Sequence, residues 1–157
     1  MSIKPRVFRD PLHLLAFGLG TGLAPKAPGT VGSLLALLLF YPLSLLPWWL
    51  YGLIVLIAAG AGIWICGRTS KDLGVHDHGG IVWDEFVGMW ITLFMLPAGW
   101  QWPLVGFVLF RILDVFKPWP IGWADRRVEG GLGIMLDDVF AGIMACLCLQ
   151  ALAILLA

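Results

Sequence analysis

Three stretches of this chain carry no formally charged residue: Ala27 to Gly67, Phe86 to Phe110 and Val139 to Ala157. At 41, 25 and 19 residues they hold more than half of its 157 positions, so all ten basic and all ten acidic residues are confined to the segments between them. With 60% hydrophobic and 13% charged residues, the chain is too apolar for an ordinary soluble domain. A soluble helical bundle would need an unusually large core to hide such runs. The segregation instead predicts an all-α fold. It is a polytopic membrane helical bundle of about four to five short transmembrane helices plus an N-terminal interfacial helix, one domain over residues 1–157.

Prolines and turn residues divide the runs. Pro42 and Pro47 split the first into helices near 31–46 and 48–66, and PAGWQWP (97–103) splits the second into helices near 82–96 and 103–116. The last run, about 137–157, is long enough to cross alone. Helices of 14–16 residues reach only ~21–24 Å, short of the ~30 Å hydrocarbon core. They must thin the bilayer, stop partway, or be extended by interfacial residues. Pro11–Leu19 is short and lacks a convincing cleavage site, so it reads as a retained interfacial helix.

The basic residues set the orientation. With an internal N-terminus, Lys4, Arg6, Arg9 and Lys26 fall in the first cytoplasmic segment. Arg68 and Lys71 fall in the second, and Arg111, Lys117, Arg126 and Arg127 in the third. The hairpins around 42–50 and 97–103 have no basic residue. Trp48, Trp49, Trp100 and Trp102 then mark the outer interface, and Trp83, Trp119 and Trp123 the inner one. Cys66, Cys146 and Cys148 lie in apolar runs and read as buried thiols rather than a disulfide or metal site. His76 and His78 flank Asp77 in a probable loop and read as solvent-exposed rather than as transition-metal ligands.

All ten acids share the cytoplasmic side. A solvated face explains Asp10, Asp72 and Glu129, but four other clusters sit where apolar helices begin or end. Asp84 and Glu85 open one helix, where dipole stabilisation and capping are the simple reading. Asp137 and Asp138 open the last helix after a Gly-rich approach. Arg111 and Asp114, three apart in FRILDVFKPWP, share a helical face, and an ion pair is their simple reading. Lys117 precedes Pro118, which biases it out of the helix. APKAPGTVGS (24–33) is a loop before a helix start: either an ordinary capped turn, or an anion site in which Lys26, Thr30 and Ser33 add donors to the backbone N–H groups.

Carboxylates at the edge of hydrocarbon cost free energy and need counter-charge. Asp84, Glu85, Asp114, Asp137 and Asp138, without organised Cys or His, form an oxygen-ligand set suited to hard cations, Mg²⁺ above all. An acidic pocket beside Lys26, Arg111 and Lys117 accepts phosphate only when divalent metal intervenes, so metal-assisted phosphoryl chemistry is the natural class. A site just below the headgroup layer selects a lipid whose phosphate lies at the interface.

GTGLAPKAPGTVGS, VHDHGGIVWDEFVGMW, FRILDVFKPWPI and GGLGIMLDDVFAG, in order from about Leu12 to Gly142, resemble the signatures of the phosphatidylglycerophosphatase A family. The resemblance implies a Mg²⁺-dependent, multi-pass enzyme of the bacterial inner membrane whose active site faces the cytoplasm. It would remove the terminal phosphate of phosphatidylglycerophosphate, with membrane lipids around it, no nucleic acid and no obligatory protein partner. Carried onto this sequence, Asp84, Glu85, Asp137 and Asp138 are expected as metal ligands. Asp84, Glu85, Asp114 and Asp138 are expected to do the catalytic work, with Asp114 a ligand or general base. Lys26, Thr30, Ser33, Arg111 and Lys117 are expected to hold the substrate. No Cys-x5-Arg, Asp-x-Asp or Ser-Gly-His nucleophile motif is present, which favours metal-activated water and leaves an aspartyl-phosphate intermediate open. Three competing readings remain: an ion or lipid transporter using the same carboxylates, a structural membrane subunit, and a phosphatase of another lipid phosphate such as phosphatidate.

Overall fold

The computed structural model describes residues 7–76 and 78–156; Lys4, Arg6 and Asp77 lie outside the described residues. Among the described residues there is no strand, so the all-helical expectation holds. α1 (Pro11–Ala16) is followed by a 3-10 segment (Gly18–Leu23), then α2 (Pro28–Ser44), α3 (Trp48–Leu73), α4 (Trp83–Thr92), α5 (Gln101–Phe116), α6 (Ile121–Arg127) and α7 (Gly130–Leu155). Two helices, α3 and α7, are long and apolar enough to cross a membrane, each 26 residues with a mean hydropathy of 2.1. At 1.5 Å per residue each is about 39 Å long.

α3 and α7 set the two ends of the bundle. The start of α7 touches the end of α3, because a Cβ on Gly131 would strike Ile63 O and lie 2.8 Å from Gly67 N. At the other end, Gln150 of α7 donates to the carbonyls of Phe94 (3.2 Å) and Met95 (2.9 Å). Phe94 and Met95 line a small pocket with Trp48, the first residue of α3. No charged residue lies in residues 44–53, 92–104 or 147–156, which make this far end. The charges of the described chain gather towards the opposite end.

α4 is the central element, packed against α2, α3, α5 and α7. It has 10 residues, so the helix expected over 82–96 stops short and a turn carries the chain on to the far end. The carbonyls that the truncation frees are met by side chains of longer helices: Tyr51 donates to Trp90 O at 2.7 Å, and Gln150 covers Phe94 and Met95. Irregular backbone inside a bundle is tolerated on that condition. The indoles of α4 hold it laterally, Trp83 donating to Ala58 O (3.1 Å) and Trp90 to Ala36 O (3.0 Å).

Glycines let α4 approach α7. A Cβ on Gly142 would lie 2.5 Å from Gly88 O, and one on Gly88 would lie 2.6 Å from the Phe110 ring and 2.8 Å from Asp138 O. Small residues at such crossings allow backbones to meet where lipid gives no hydrophobic drive.

The structure corrects several boundaries. α7 starts at Gly130 rather than near 137, because Gly131 and Gly133 are contact surface and not a flexible approach: a Cβ on Gly133 would strike Val128 O. Asp137 and Asp138 therefore lie two turns inside the helix instead of opening it. α3 continues past Cys66 to Leu73 and closes on Gly74, which adopts a left-handed φ of 68°. α2 starts at Pro28 rather than near 31 and ends at Ser44, with Pro42 inside it as the expected span allowed. The short α6 falls in a segment for which no helix was expected. α1 is tied to α3, His13 Nε2 lying 3.3 Å from Asp72, which also accepts from Arg68 at 3.0 Å.

Trp48, Trp49 and Trp100 are exposed at the far end, and Trp119 and Trp123 are exposed on α6 and the loop before it. Trp83 is half-buried and stacked on Phe86, and Trp102 is buried. Among the cysteines, Cys66 is buried with its thiol 3.9 Å from the Met135 sulfur. Cys146 is half-buried and Cys148 is exposed, so burial was the wrong expectation for the last.

The α4–α7 crossing is the point of least tolerance. Gly142→Leu is expected to destabilise the detergent-solubilised protein by about 1–3 kcal/mol through overpacking. Gly60→Ala, on a part of α3 where an added Cβ meets nothing within 4 Å, is expected to cost nothing. Thermal unfolding followed by circular dichroism checks both.

Candidate metal centre

Three helices deliver carboxylates to one place. Asp84 and Glu85 occupy the first turn of α4, Asp114 the last turn of α5, and Asp137 and Asp138 the third turn of α7. Oxygens of Asp84, Glu85 and Asp138 lie within 4.8 Å of one another, and so do oxygens of Asp114, Asp137 and Asp138. The five acids that the sequence marks in three separate motifs are thus one cluster, with Asp138 in both halves.

Capping does not account for the pair on α4. Its N-cap is Val82, with no side-chain cap hydrogen bond, although the helix dipole still favours acids in this turn. Asp84, Asp137 and Asp138 are 8%, 6% and 2% exposed. One oxygen of each, and one of Glu85, is buried with no hydrogen-bond partner: Asp84 Oδ1, Glu85 Oε2, Asp137 Oδ1 and Asp138 Oδ2. Four orphaned carboxylate oxygens converging from two helices are costly unless a cation meets them. The donor set is all oxygen, which fits Mg²⁺ and similar hard cations.

The bases sit around the acids. Arg111 Nη1 donates to Asp114 Oδ2 at 2.6 Å, so the expected ion pair forms, within the cluster. Lys117 is the C-cap of α5 in a left-handed conformation (φ 45°), out of the helix as Pro118 requires. Its ammonium bridges Asp125 Oδ1 (2.6 Å) and Asp137 Oδ2 (2.5 Å). Burial disfavours that ammonium, but the hydrogen bonds and charges of Asp125 and Asp137 outweigh it and hold its pKa above the usual lysine range. Asp125 was missed in the sequence, having no apolar helix around it to mark it as unusual.

The 24–33 loop reaches the cluster through backbone. α2 begins after Ala27, in a left-handed conformation (φ 46°), with Pro28 in its first turn and no side-chain cap. Gly29 lies against the site: a Cβ there would collide with Glu85 Oε1 and sit 3.4 Å from Arg111 Nη1. Glu85 thus brings negative charge to the N-terminus of α2, which has no acid in its own first turn. Thr30 is half-buried one residue on, and Lys26 is exposed on the approach. The Ser33 hydroxyl is buried and donates to Gly29 O at 2.8 Å, so its proton is committed within the helix.

The histidines stay apart from the acids. His76 Nε2 accepts from Gly130 N–H at 3.0 Å at the start of α7, and His78 Nδ1 accepts from Gly80 N–H at 3.0 Å. His76 is exposed as expected, and His78 is half-buried beside Phe17. Asp10 caps α1 by accepting from Leu12 N–H at 2.9 Å, and Glu129 is exposed. A cavity of about 420 Å³ between α3, α4 and α7 is lined by Val55, Leu56, Trp90, Ile143 and other apolar or small residues and includes no acid.

Comparison with known proteins shows the family of the chain. The family model described as phosphatidylglycerophosphatase A matches residues 14–153. A phosphatidylglycerophosphatase A of Escherichia coli is 58% identical over 137 residues, covering 87% of this chain and 80% of the relative. One of Haemophilus influenzae is 47% identical over 145 residues, covering 91% and 89%. A provisionally named phosphatidylinositol-3-phosphatase of Bacteroides thetaiotaomicron is 39% identical over 141 residues, covering 83% and 86%. No solved structure matches the chain.

The tight seat of Gly29 on Glu85 yields a test of the geometry. Gly29→Val is expected to displace the Glu85 carboxylate and weaken Mn²⁺ binding by about 10–100-fold, the usual effect of disturbing groups that orient a ligand. Calorimetric titration of the folded variant against the parent chain measures it.

Proposed function

The chain belongs to the phosphatidylglycerophosphatase A family, and from that premise we propose that it hydrolyses the terminal phosphomonoester of phosphatidylglycerophosphate. The products are phosphatidylglycerol and inorganic phosphate. The carrying observation is the buried carboxylate cluster with an orphaned oxygen on four of its acids, in a chain of this family.

Asp84, Glu85, Asp137 and Asp138 would hold Mg²⁺, which when bound neutralises phosphate oxygens and acidifies water. Asp114 would orient a ligand or accept a proton, with the Arg111 guanidinium 2.6 Å from its carboxylate. Arg111 and Lys117 supply positive charge to the phosphate. The N-terminus of α2, with Thr30 and Lys26, adds donors from the side where Gly29 meets Glu85. Ser33 acts indirectly, by holding the Gly29 carbonyl.

In the membrane, α2, α3, α5 and α7 would cross, with α4 and its following turn as a fifth, shortened passage enclosed by the others. α2 and α5, at 17 and 16 residues, are about 24–26 Å long. The excess of bases at the acid end argues for a cytoplasmic site in a multi-pass protein of the bacterial inner membrane. The grouping of carboxylates at one end, away from the midplane, disfavours a transporter. A phosphatase of a different lipid phosphate is the second reading, supported by the name that the Bacteroides relative carries.

Purified protein in mixed micelles is expected to release phosphate from phosphatidylglycerophosphate only with Mg²⁺ present, and to stop on chelation. Asp84→Asn and Asp138→Asn are expected to lower kcat by roughly 100-fold or more while helicity is retained. A panel including phosphatidate and phosphatidylinositol 3-phosphate separates the two readings by relative kcat/KM. Full activity in both variants would sink the metal-ligand assignment.

A further inference from the structure

We infer that the cluster is built for two divalent cations that share Asp138 and differ in affinity, an inference that rests on the metal-dependent reading above. The two triads, Asp84 with Glu85 and Asp138, and Asp114 with Asp137 and Asp138, each gather three ligand oxygens within 4.8 Å. Orphaned oxygens come from both: Asp84 Oδ1 and Glu85 Oε2 in the first, Asp137 Oδ1 in the second, Asp138 Oδ2 common to the two. Asp84, Asp137 and Asp138 are each more than nine-tenths buried. An ion on either triad alone leaves a buried, unpartnered oxygen in the other.

Charge makes the two positions unequal. Among the described residues, no lysine or arginine forms an ion pair with Asp84, Glu85 or Asp138, and Arg111 stands by Glu85 only at longer range, so the first triad is the less compensated of the two. In the second, Asp114 is paired with Arg111 and Asp137 with Lys117. The first triad attracts a dication with three acids, none of which has to give up an ion pair to receive it. A cation at the second competes with a guanidinium and an ammonium already seated there. Its arrival releases those two groups, and their positive charge becomes available to a phosphate beside the site. The ion pairs are thus what the weaker cation displaces, which couples its binding to that of the anion.

The test uses Mn²⁺ alone, titrated into the metal-stripped full chain in detergent and followed by electron paramagnetic resonance. Two ions per chain are expected, the first binding about tenfold or more tightly than the second, with a spin-coupled signal at saturation. Glu85→Gln is expected to weaken the tight step, and Asp114→Asn to alter the weak step while sparing the tight one. Asp138→Asn is expected to abolish the coupled signal; should that chain fail to fold, the Glu85 and Asp114 variants decide alone. A single ion at saturation overturns the inference, as does equal weakening of the tight step by Glu85→Gln and Asp114→Asn. The result is separable from the proposed reaction. One Mn²⁺ per chain with Mg²⁺-dependent phosphate release intact overturns the pair and leaves the phosphatase standing. Two ions without phosphate release support the pair and overturn the phosphatase.

Discussion

Five carboxylates meeting inside a bundle of apolar helices impose the condition that the rest of the molecule satisfies. A charged group near the middle of a membrane helix costs ~2.5–3.5 kcal/mol, and here the groups also repel one another. Arg111 and Lys117 compensate two of the five directly. The dipole of α4 favours two more, Asp84 and Glu85, at its first turn. Asp138 has neither device, lies two turns inside α7, and is the most buried acid of the cluster. A cation on the cluster, as proposed, would supply the compensation that these two devices do not give it.

The same condition explains the short central helix. α4 must begin among the acids, deep within the bundle, and still leave room for α2, α3, α5 and α7 around it. Ten helical residues do that, provided the carbonyls beyond the last turn are satisfied by Tyr51 and Gln150. The glycine contact of Gly88 with Gly142 brings the α4 backbone within reach of Asp138 O. The glycine crossing and the hydrogen bonds from Tyr51 and Gln150 therefore serve the carboxylates at the near end, by fixing the depth and angle of the helix that carries two of them.

Charge segregation and proline spacing made the helical class, the four motif clusters and the expulsion of Lys117 from α5 legible in the sequence, because each follows from local chemistry. What stayed hidden depends on contacts between helices. Gly131 and Gly133 look like a loop, since their reason for being glycine is the backbone of α3 and of Val128. Tyr51 and Gln150 carry no mark of their role, because the carbonyls they serve become free only when α4 stops early. Asp125 sits in a polar segment where an acid is unremarked until Lys117 is seen to need two partners. Ser33 read as an open donor, and only the helix geometry shows its proton spent on Gly29.

Depth orders the components of the site. Asp137 and Asp138 lie about 11 Å along α7 from its start at 1.5 Å per residue, whereas Lys26, Arg126 and Arg127 are exposed near the charged end. Lys117 stands between, half-buried and bridging the exposed Asp125 to the buried Asp137. On the proposed membrane placement, a phosphate arriving from the headgroup layer would meet bases first and acids last. Against bare carboxylates it would be turned back, since Arg111 and Lys117 are occupied with Asp114 and Asp137. With cations on the acids the sign of the inner field reverses, and the two bases are no longer needed there. On the proposed two-cation reading, the arrangement would order binding by electrostatics, cation before phosphate.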